Sequence, residues 1–334
     1  MGLLAEKLKL PELRHRLSYF PEAVALISFV LLFLFFSFAA PNFLTALSIG
    51  NILTFGSITG IVTIGVAMLM ISGEFDLSVG SNFAIASYVL ALTLIAGMPV
   101  IPAIFLAIIT STCLGFLNGI IVTKTRIPSF IATLGTLLAY RGIVRVIGHG
   151  NFATYKGPPI PLFDYLNGDF TLLNNLFKVQ AFRISLIWFV LLAIIFSFIM
   201  VRTRYGNWVF AAGGNPDAAA AQGVNVTRVK IMNFTITGFL VAIASVLQFA
   251  YRFSVDPLRG DGMELIVVAA CVIGGIFMTG GYGTIFGAVM GTMLLQMLDQ
   301  GLVLMSIPIQ VFQATAGLII IISVISNTYL SRGD

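Results

Sequence analysis

The sequence predicts an all-α, polytopic membrane protein with about ten transmembrane helices, since one span needs about 20 apolar residues. Of its 334 residues, 58% are hydrophobic and only 9% are Asp, Glu, Lys or Arg, whereas a soluble domain carries about 25% charged residues. The apolar runs are continuous and rich in Leu, Ile, Ala and Phe, which is typical of spanning helices and not of outer-membrane strands. Residues 1–334 therefore form a single transmembrane domain.

The predicted spans follow one another with Gly, Pro and charged residues between them. Residues 1–21 are polar and basic, so the positive-inside rule places this N-terminal segment in the cytoplasm. Counting about ten spans from there places the C-terminus in the cytoplasm as well. The apolar runs cover residues 23–40, 51–72, 79–97, 100–123, 128–147, 183–201, 231–251, 263–279, 283–304 and 309–328.

Two connections between the spans are longer than the others. Residues 148–182 form the main extracytoplasmic loop, which is rich in turn-forming residues and is either a docking surface or an ordinary polar loop. Residues 202–230 form a cytoplasmic loop. A Gly-rich break occurs near the start of each half, at 73–81 and 274–283, which favours the inverted repeat common in transporters.

The cytoplasmic loop contains a short helix with signals at both ends. Asn215 is a suitable N-cap, Pro216 suits the first helical position and Asp217 complements the positive helix end. Gly223 can end the helix in a left-handed conformation. A helix this short is unstable alone in water, so we expect it to dock, either in a partner's groove or on its own bundle. The predicted coupling segment comprises Gly214, Asn215, Pro216, Asp217, Ala218, Ala219, Ala220, Ala221, Gln222 and Gly223.

Polar residues within and between the apolar runs are candidates for a translocation pathway. Asp76 and Ser78 lie at the first Gly-rich break, where they can cap the next helix or line a water-filled cavity. Asn118, Gln248 and Gln296 lie inside predicted spans. An amide in a span can bind a transported solute or form a hydrogen bond to another helix, and both interpretations stay open.

Three stretches of the chain resemble the permease subunits of ribose-, galactose- and xylose-type ABC importers. They are residues 213–223, residues 73–81 (GEFDLSVGS), and Asn118-Gly119 followed by residues 127–135 (IPSFIATLG). The resemblance implies import of a simple sugar or related polar solute through the bacterial inner membrane. It also implies three partners: a cytoplasmic ABC ATPase that contacts the short helix, an extracytoplasmic sugar-binding protein, and a second permease subunit. Glu74 is a departure, because family members often carry an uncharged residue there.

The sequence contains no pattern typical of an enzyme active site. The GxxxxGK[ST] phosphate-binding loop is absent from it, so an importer of this kind takes its energy from ATP hydrolysis on another subunit. The alternative is a secondary transporter driven by an ion gradient. Its acidic candidates would be Glu74, Asp76 and Asp299.

Metal, cofactor and nucleic-acid binding are not expected either. The two histidines, His15 and His149, are isolated, and the two cysteines, Cys113 and Cys271, lie inside apolar runs. The net charge of +5 is explained by positive residues on the cytoplasmic side of a membrane protein, so it does not indicate nucleic-acid binding.

Overall fold

The computed structural model describes residues 21–308 and, beyond them, residues 311, 312, 314, 315, 317, 318 and 321. Two short strands, β1 (Ala153–Thr154) and β2 (Ser254–Val255), pair antiparallel, a small addition to the predicted all-α fold. The helices are α1 (Pro21–Ala39), α2 (Ala46–Ile71), α3 (Val79–Ile95), α4 (Val100–Thr125), α5 (Ser129–Ile147), α6 (Pro161–Asn167), α7 (Thr171–Phe177), α8 (Ser185–Arg202), α9 (Arg204–Gly214), α10 (Pro216–Ala221), α11 (Val226–Arg252), α12 (Met263–Ile273) and α13 (Ile285–Leu304).

The helices confirm a polytopic helical membrane protein. Within the described residues, six helices are long and apolar enough to cross a membrane, namely α2, α4, α5, α8, α11 and α13. Shorter apolar helices lie in α1, α3 and α12. The total of about ten spans, the inverted repeat and the side on which each terminus lies stay predictions. Residues 1–20 and most of the predicted last span, 309–328, lie outside the described residues.

Helix α11 occupies the centre of the bundle and packs against α2, α3 and α4. Its crossing with α4 is a backbone contact, because a Cβ added at Gly115 would lie 2.4 Å from the carbonyl oxygen of Phe234. The Ser111 hydroxyl donates a hydrogen bond to the carbonyl oxygen of Gly238 at 2.7 Å. Small residues permit this close approach of membrane helices.

The bundle has two ends that differ in structure. At one end, which we call the long-loop end, lie α6, α7 and the β1–β2 ladder; at the other, the α10 end, lie α9 and α10. Helix α2 runs between them. Near its start the Thr54 hydroxyl donates to the carbonyl oxygen of Ala181 in the long loop, and at its last residue the carbonyl oxygen of Ile71 accepts from Gly281 N.

Several predicted elements need correction. The run 263–279 is not one span, because α12 ends at Ile273. Gly274 and Gly275 follow, and Gly275 adopts a left-handed φ of +86°, which a helix cannot continue through. The predicted run 51–72 begins too late, since α2 starts at Ala46, where the Thr45 side chain accepts from Ser48 N as an N-cap.

The two predicted loops are also more ordered than expected. Residues 148–182 contain α6, α7 and β1, and the cytoplasmic loop, 202–230, contains α9 ahead of the predicted short helix. Helix α9 begins at an N-cap, Thr203, whose side chain accepts from Gly206 N. It buries Val209 and Ala212 in the same core cluster as α2. A helix of 11 residues with one apolar side is stabilised by this packing.

Candidate translocation and coupling sites

The predicted coupling segment has the end structure that its sequence indicates. Helix α10 covers Pro216–Ala221, and the Asn215 side chain accepts a hydrogen bond from Ala218 N at 3.0 Å. Asp217 lies in the first turn. Gly223 adopts a φ of +85°, the left-handed conformation that ends a helix. The local prediction of caps and helix is therefore confirmed.

The two sides of α10 differ in exposure. Ala219 is buried, with 6% of its surface exposed, so it packs on the protein's own bundle. Ala218, Ala220 and Ala221 are exposed. The segment is thus anchored on one side by Ala219 and leaves a slim face of small side chains open on the other.

A close backbone contact joins this segment to both Gly-rich breaks. Gly213 precedes α10, and a Cβ added to it would lie 1.9 Å from the carbonyl oxygen of Ile71 and 2.6 Å from Gly281 N. Gly281 N donates to that same carbonyl oxygen at 2.8 Å. Gly73 and Gly280 complete the contact, because a Cβ at Gly280 would lie 2.8 Å from the Cα of Gly73. We call these four residues, Gly73, Gly213, Gly280 and Gly281, the glycine junction.

Three predicted pathway residues form one buried cluster. Asp76 Oδ1 accepts hydrogen bonds from Ser78 N at 2.8 Å and from the Ser78 hydroxyl at 2.7 Å. Asn118 Nδ2 donates to the Ser78 hydroxyl at 2.8 Å, and its Oδ1 accepts from the Tyr140 hydroxyl at 3.0 Å. Asp76, Ser78 and Asn118 are each at most 1% exposed. They therefore hold the start of α3 against α4 and α5.

The structure also decides how the first break is capped. Ser78 is the N-cap of α3 by position, but its side chain makes no capping hydrogen bond. The Asp76 carboxylate accepts from Ser78 N instead. Two hydroxyls of α5 bind the same break, with Ser129 Oγ accepting from Phe75 N and Thr133 Oγ1 from Leu77 N.

The Asp76 cluster predicts different outcomes for two substitutions. Asp76→Asn keeps an oxygen that accepts both Ser78 hydrogen bonds, so transport and thermal stability should stay near those of the parent. Asp76→Leu leaves the buried Ser78 N–H and hydroxyl without this acceptor, which costs about 1–3 kcal/mol for each group. The measurement is the unfolding midpoint of the purified protein together with uptake in vesicles. Equal damage by both variants would indicate that Asp76 acts through its charge.

Gln248 and Gln296 lie elsewhere, on a more open face. Gln248 borders a cavity of about 290 Å³ together with Thr59 of α2. Gln296 Nε2 donates to Asp299 Oδ2 at 3.3 Å, and both residues are partly exposed. The Gln296 side chain approaches Gly56, one helical turn from Thr59 on α2. The five predicted pathway residues are therefore not brought into one site.

Two polar interactions were missed because they join distant parts of the chain. Lys230 Nζ forms an ion pair with Glu74 Oε1, and the side chains are only 19% and 10% exposed. Arg141 is buried and donates from Nη1 to the carbonyl oxygens of Pro257 and Arg259. A charged residue inside the predicted span 128–147 was the available signal for Arg141. Among the described residues, no group of three His, Cys, Asp or Glu side chains could hold a metal ion.

Comparison with known proteins identifies the family. Residues 48–324 match the family model described as the permease component of the branched-chain amino acid transport system. The chain belongs to this permease family. Its relatives include the probable ABC transporter permease protein YphD of Escherichia coli, with 34% identity over 93% of this chain and 90% of the relative.

Two further relatives carry more specific names. The autoinducer 2 import system permease LsrC of Salmonella typhi is 33% identical over 90% of this chain and 83% of its own length. The ribose import permease RbsC of Bacillus subtilis is 31% identical over 85% of this chain and 86% of its own length. No solved structure matches the chain.

Family membership places the chain among translocation subunits, which are not enzymes. It is a multi-pass protein of the bacterial inner membrane. An ABC permease works with an ATPase and a solute-binding protein, so the family implies both partners. This supports the ATP-driven importer and not the ion-gradient alternative.

Proposed function

We propose that this chain moves a simple sugar or a related small polar solute into the cytoplasm, driven by ATP hydrolysis on a separate subunit. The observation that carries the proposal is α10, a capped helix anchored through Ala219 with a slim open face. The family description names branched-chain amino acids, whereas the names of two relatives refer to ribose and autoinducer 2. We favour the sugar-like class because those relatives cover most of this chain.

We place the α10 end in the cytoplasm and the long-loop end outside. The basic N-terminal segment, residues 1–21, supports this orientation, because the positive-inside rule favours such a segment on the cytoplasmic side. Basic residues outside that segment lie at both ends of the bundle. In this arrangement α6 and α7 form the outer surface on which the solute-binding protein docks. The basic residues at or near the α10 end are Lys124, Arg126, Arg202, Arg204, Arg228 and Lys230.

A second permease subunit, either a copy or a related chain, completes the pathway in this proposal. Gln296 and Asp299 are partly exposed on a spanning helix, α13. Polar and charged side chains at such positions avoid lipid and face water or other protein. We therefore assign the open face of α2 and α13, with Gln248 of α11 beside it, to the pathway. Asp76, Ser78 and Asn118 support this pathway by fixing α3 and do not contact the solute.

The test of the proposed function enlarges α10 on its open face. Ala220→Trp should uncouple ATP hydrolysis from transport, because an indole on the exposed face would overfill the contact with the ATPase. The expected cost in binding free energy is about 1–3 kcal/mol or more. The permease itself should remain folded, since Ala220 is exposed. Uptake in vesicles, co-purification of the ATPase and the unfolding midpoint are measured together.

Ala219→Trp is the matched control one residue away. Ala219 is buried on the bundle, so the same indole should lower the unfolding midpoint of the permease itself. Full uptake and undiminished ATPase association in Ala220→Trp would contradict docking at α10. Uptake that persists without any ATPase and follows an imposed ion gradient would contradict the importer.

A further inference from the structure

A cavity of about 290 Å³ opens in the half of the bundle nearest the long-loop end. Thr59 and Gln248 contribute from α2 and α11, and the connection between β2 and α12 contributes Asp256, Arg259 and Asp261. Thr59 lies five residues from Thr54, which is bonded to the long loop, a rise of about 7.5 Å along the helix. A volume just below about 300 Å³ suits a ligand smaller than a typical drug.

The cavity presents both donors and acceptors, and two of its charged side chains are paired with each other. Arg259 Nη2 and Asp256 Oδ2 form an ion pair at 2.8 Å, and each side chain is 22% exposed. Asp261 lies 3.7 Å from Arg141 Nη2. The Gln248 side chain forms no hydrogen bond with any described residue, so its amide is free to bind a ligand.

This arrangement matches a solute with several neighbouring hydroxyl groups. Each hydroxyl both donates and accepts, so it can bind a carboxylate oxygen, a guanidinium N–H or an amide without bringing a charge of its own. An amino acid would bring an ammonium and a carboxylate, and its carboxylate would have to compete with Asp256 for Arg259. Met263 and Leu258 supply apolar contact at the cavity.

The connection that carries Asp256, Arg259 and Asp261, which we call the cavity loop (residues 256–262), is held from two sides. Arg141 Nη1 donates to the carbonyl oxygen of Arg259 at 2.8 Å. Gly80 packs against its backbone, because a Cβ at Gly80 would lie 2.1 Å from the carbonyl oxygen of Gly260. A loop fixed in this way loses less conformational freedom on binding a ligand.

We propose that this cavity is a binding site for the transported solute and that it takes a neutral polyhydroxylated compound of monosaccharide size. The proposal rests on the proposed function and adds the place and the residues of contact. Gln248, Asp256 and Arg259 bind hydroxyl groups, while Arg141 and Gly80 are positioning residues that hold the cavity loop.

The test measures protection of a cysteine at the cavity from labelling. Leu258→Cys is made with Cys113→Ser and Cys271→Ala, and Leu172→Cys on α7 is the control, since Leu258 and Leu172 are 61% and 70% exposed. The assembled importer in lipid nanodiscs reacts with a maleimide in the presence of D-ribose, D-galactose, D-xylose or L-leucine. We expect at least one sugar, and not leucine, to slow labelling at position 258 by about fivefold or more, which corresponds to about 1 kcal/mol.

Gln248→Leu links the protection to the proposed contacts, because it keeps the side-chain bulk and removes the amide. It should abolish protection by the sugar while the importer still assembles and hydrolyses ATP. Uptake by the parent importer is measured separately with the same four solutes. Uptake of a sugar without protection at position 258, or protection unchanged by Gln248→Leu, would overturn the site and leave the proposed function standing. Uptake of leucine and of none of the three sugars would overturn the proposed function.

Discussion

Gly213→Ala is expected to abolish transport, whereas Gly214→Ala should be tolerated. A Cβ at position 213 would lie 1.9 Å from the carbonyl oxygen of Ile71 and 2.6 Å from Gly281 N. Both are backbone atoms, so the backbone segments that meet at the glycine junction would have to move apart. At position 214 the nearest atom would be the Cα of Gly281 at 3.7 Å, an ordinary contact.

The expected cost of Gly213→Ala exceeds that of common overpacking, which is about 1–3 kcal/mol when side chains can adjust. It should appear as a lower unfolding midpoint and as a loss of uptake in vesicles. Gly214→Ala controls for the change in backbone freedom, because it adds the same methyl group in the same helix, α9. Parent-like uptake by Gly213→Ala would show that the junction does not require backbone contact.

The glycine junction explains why this change should affect coupling as well as folding. Gly213 is two residues before the N-cap of α10, and it contacts the end of α2 and the second break. Near the end of the first break, Gly80 contacts the cavity loop at Gly260. Residues 73–80 therefore connect the junction with the proposed solute site. We expect a displacement of α10 to be transmitted to this segment, because the contacts between them are made by backbone atoms and no flexible side chain can absorb the movement.

The sequence was sufficient to predict α10 because the signals for a short helix are local. Asn215, Pro216 and Gly223 each act on the backbone within a few residues, and the structure has all three in the predicted roles. Long apolar runs predicted the spanning helices for the same reason. The end of α12 at Ile273 was missed, since apolar composition continues past the point where two glycines break the helix.

The candidate pathway could be predicted only in part, because a buried polar residue does not reveal its partner in the sequence. Asp76 and Asn118 are separated by 42 residues, but both side chains form a hydrogen bond with the Ser78 hydroxyl. The two pathway candidates therefore belong to one buried structural cluster. Gln248 was a pathway candidate in the sequence, and the structure places it at a cavity, while its role in transport stays a prediction. Its neighbour Arg259 could not be linked to Thr59 from the sequence, because the position of Arg259 beside Thr59 depends on the folded chain.

The Glu74–Lys230 ion pair is expected to give the second largest effect. It joins the first break to α11 across 156 residues, and both side chains are largely buried. Lys230→Met leaves the Glu74 carboxylate without its counter-ion, and breaking a buried pair in this way costs about 3–5 kcal/mol. Glu74→Gln should be similarly damaging, because it leaves the Lys230 ammonium unpaired.

The double variant Glu74→Gln/Lys230→Met decides whether the pair itself is responsible. It removes both charges, so its unfolding midpoint and uptake should lie closer to the parent than those of either single variant. The resemblance to permeases that often carry an uncharged residue at this position favours the same outcome. Effects of the two single variants that simply add in the double variant would show that the residues do not interact.

The reversed pair, Glu74→Lys/Lys230→Glu, extends the test from charge to orientation. It places a carboxylate in the first turns of α11, which begins at Val226, where the positive helix end favours an anion. The lysine would then follow the last turn of α2, where the negative helix end favours a cation. We therefore expect the reversed pair to recover most of the thermal stability lost in the single variants. Recovery of stability without uptake would indicate that the pair also contributes to movement of the first break during transport, whereas failure to recover stability would contradict an ion pair held mainly by electrostatics.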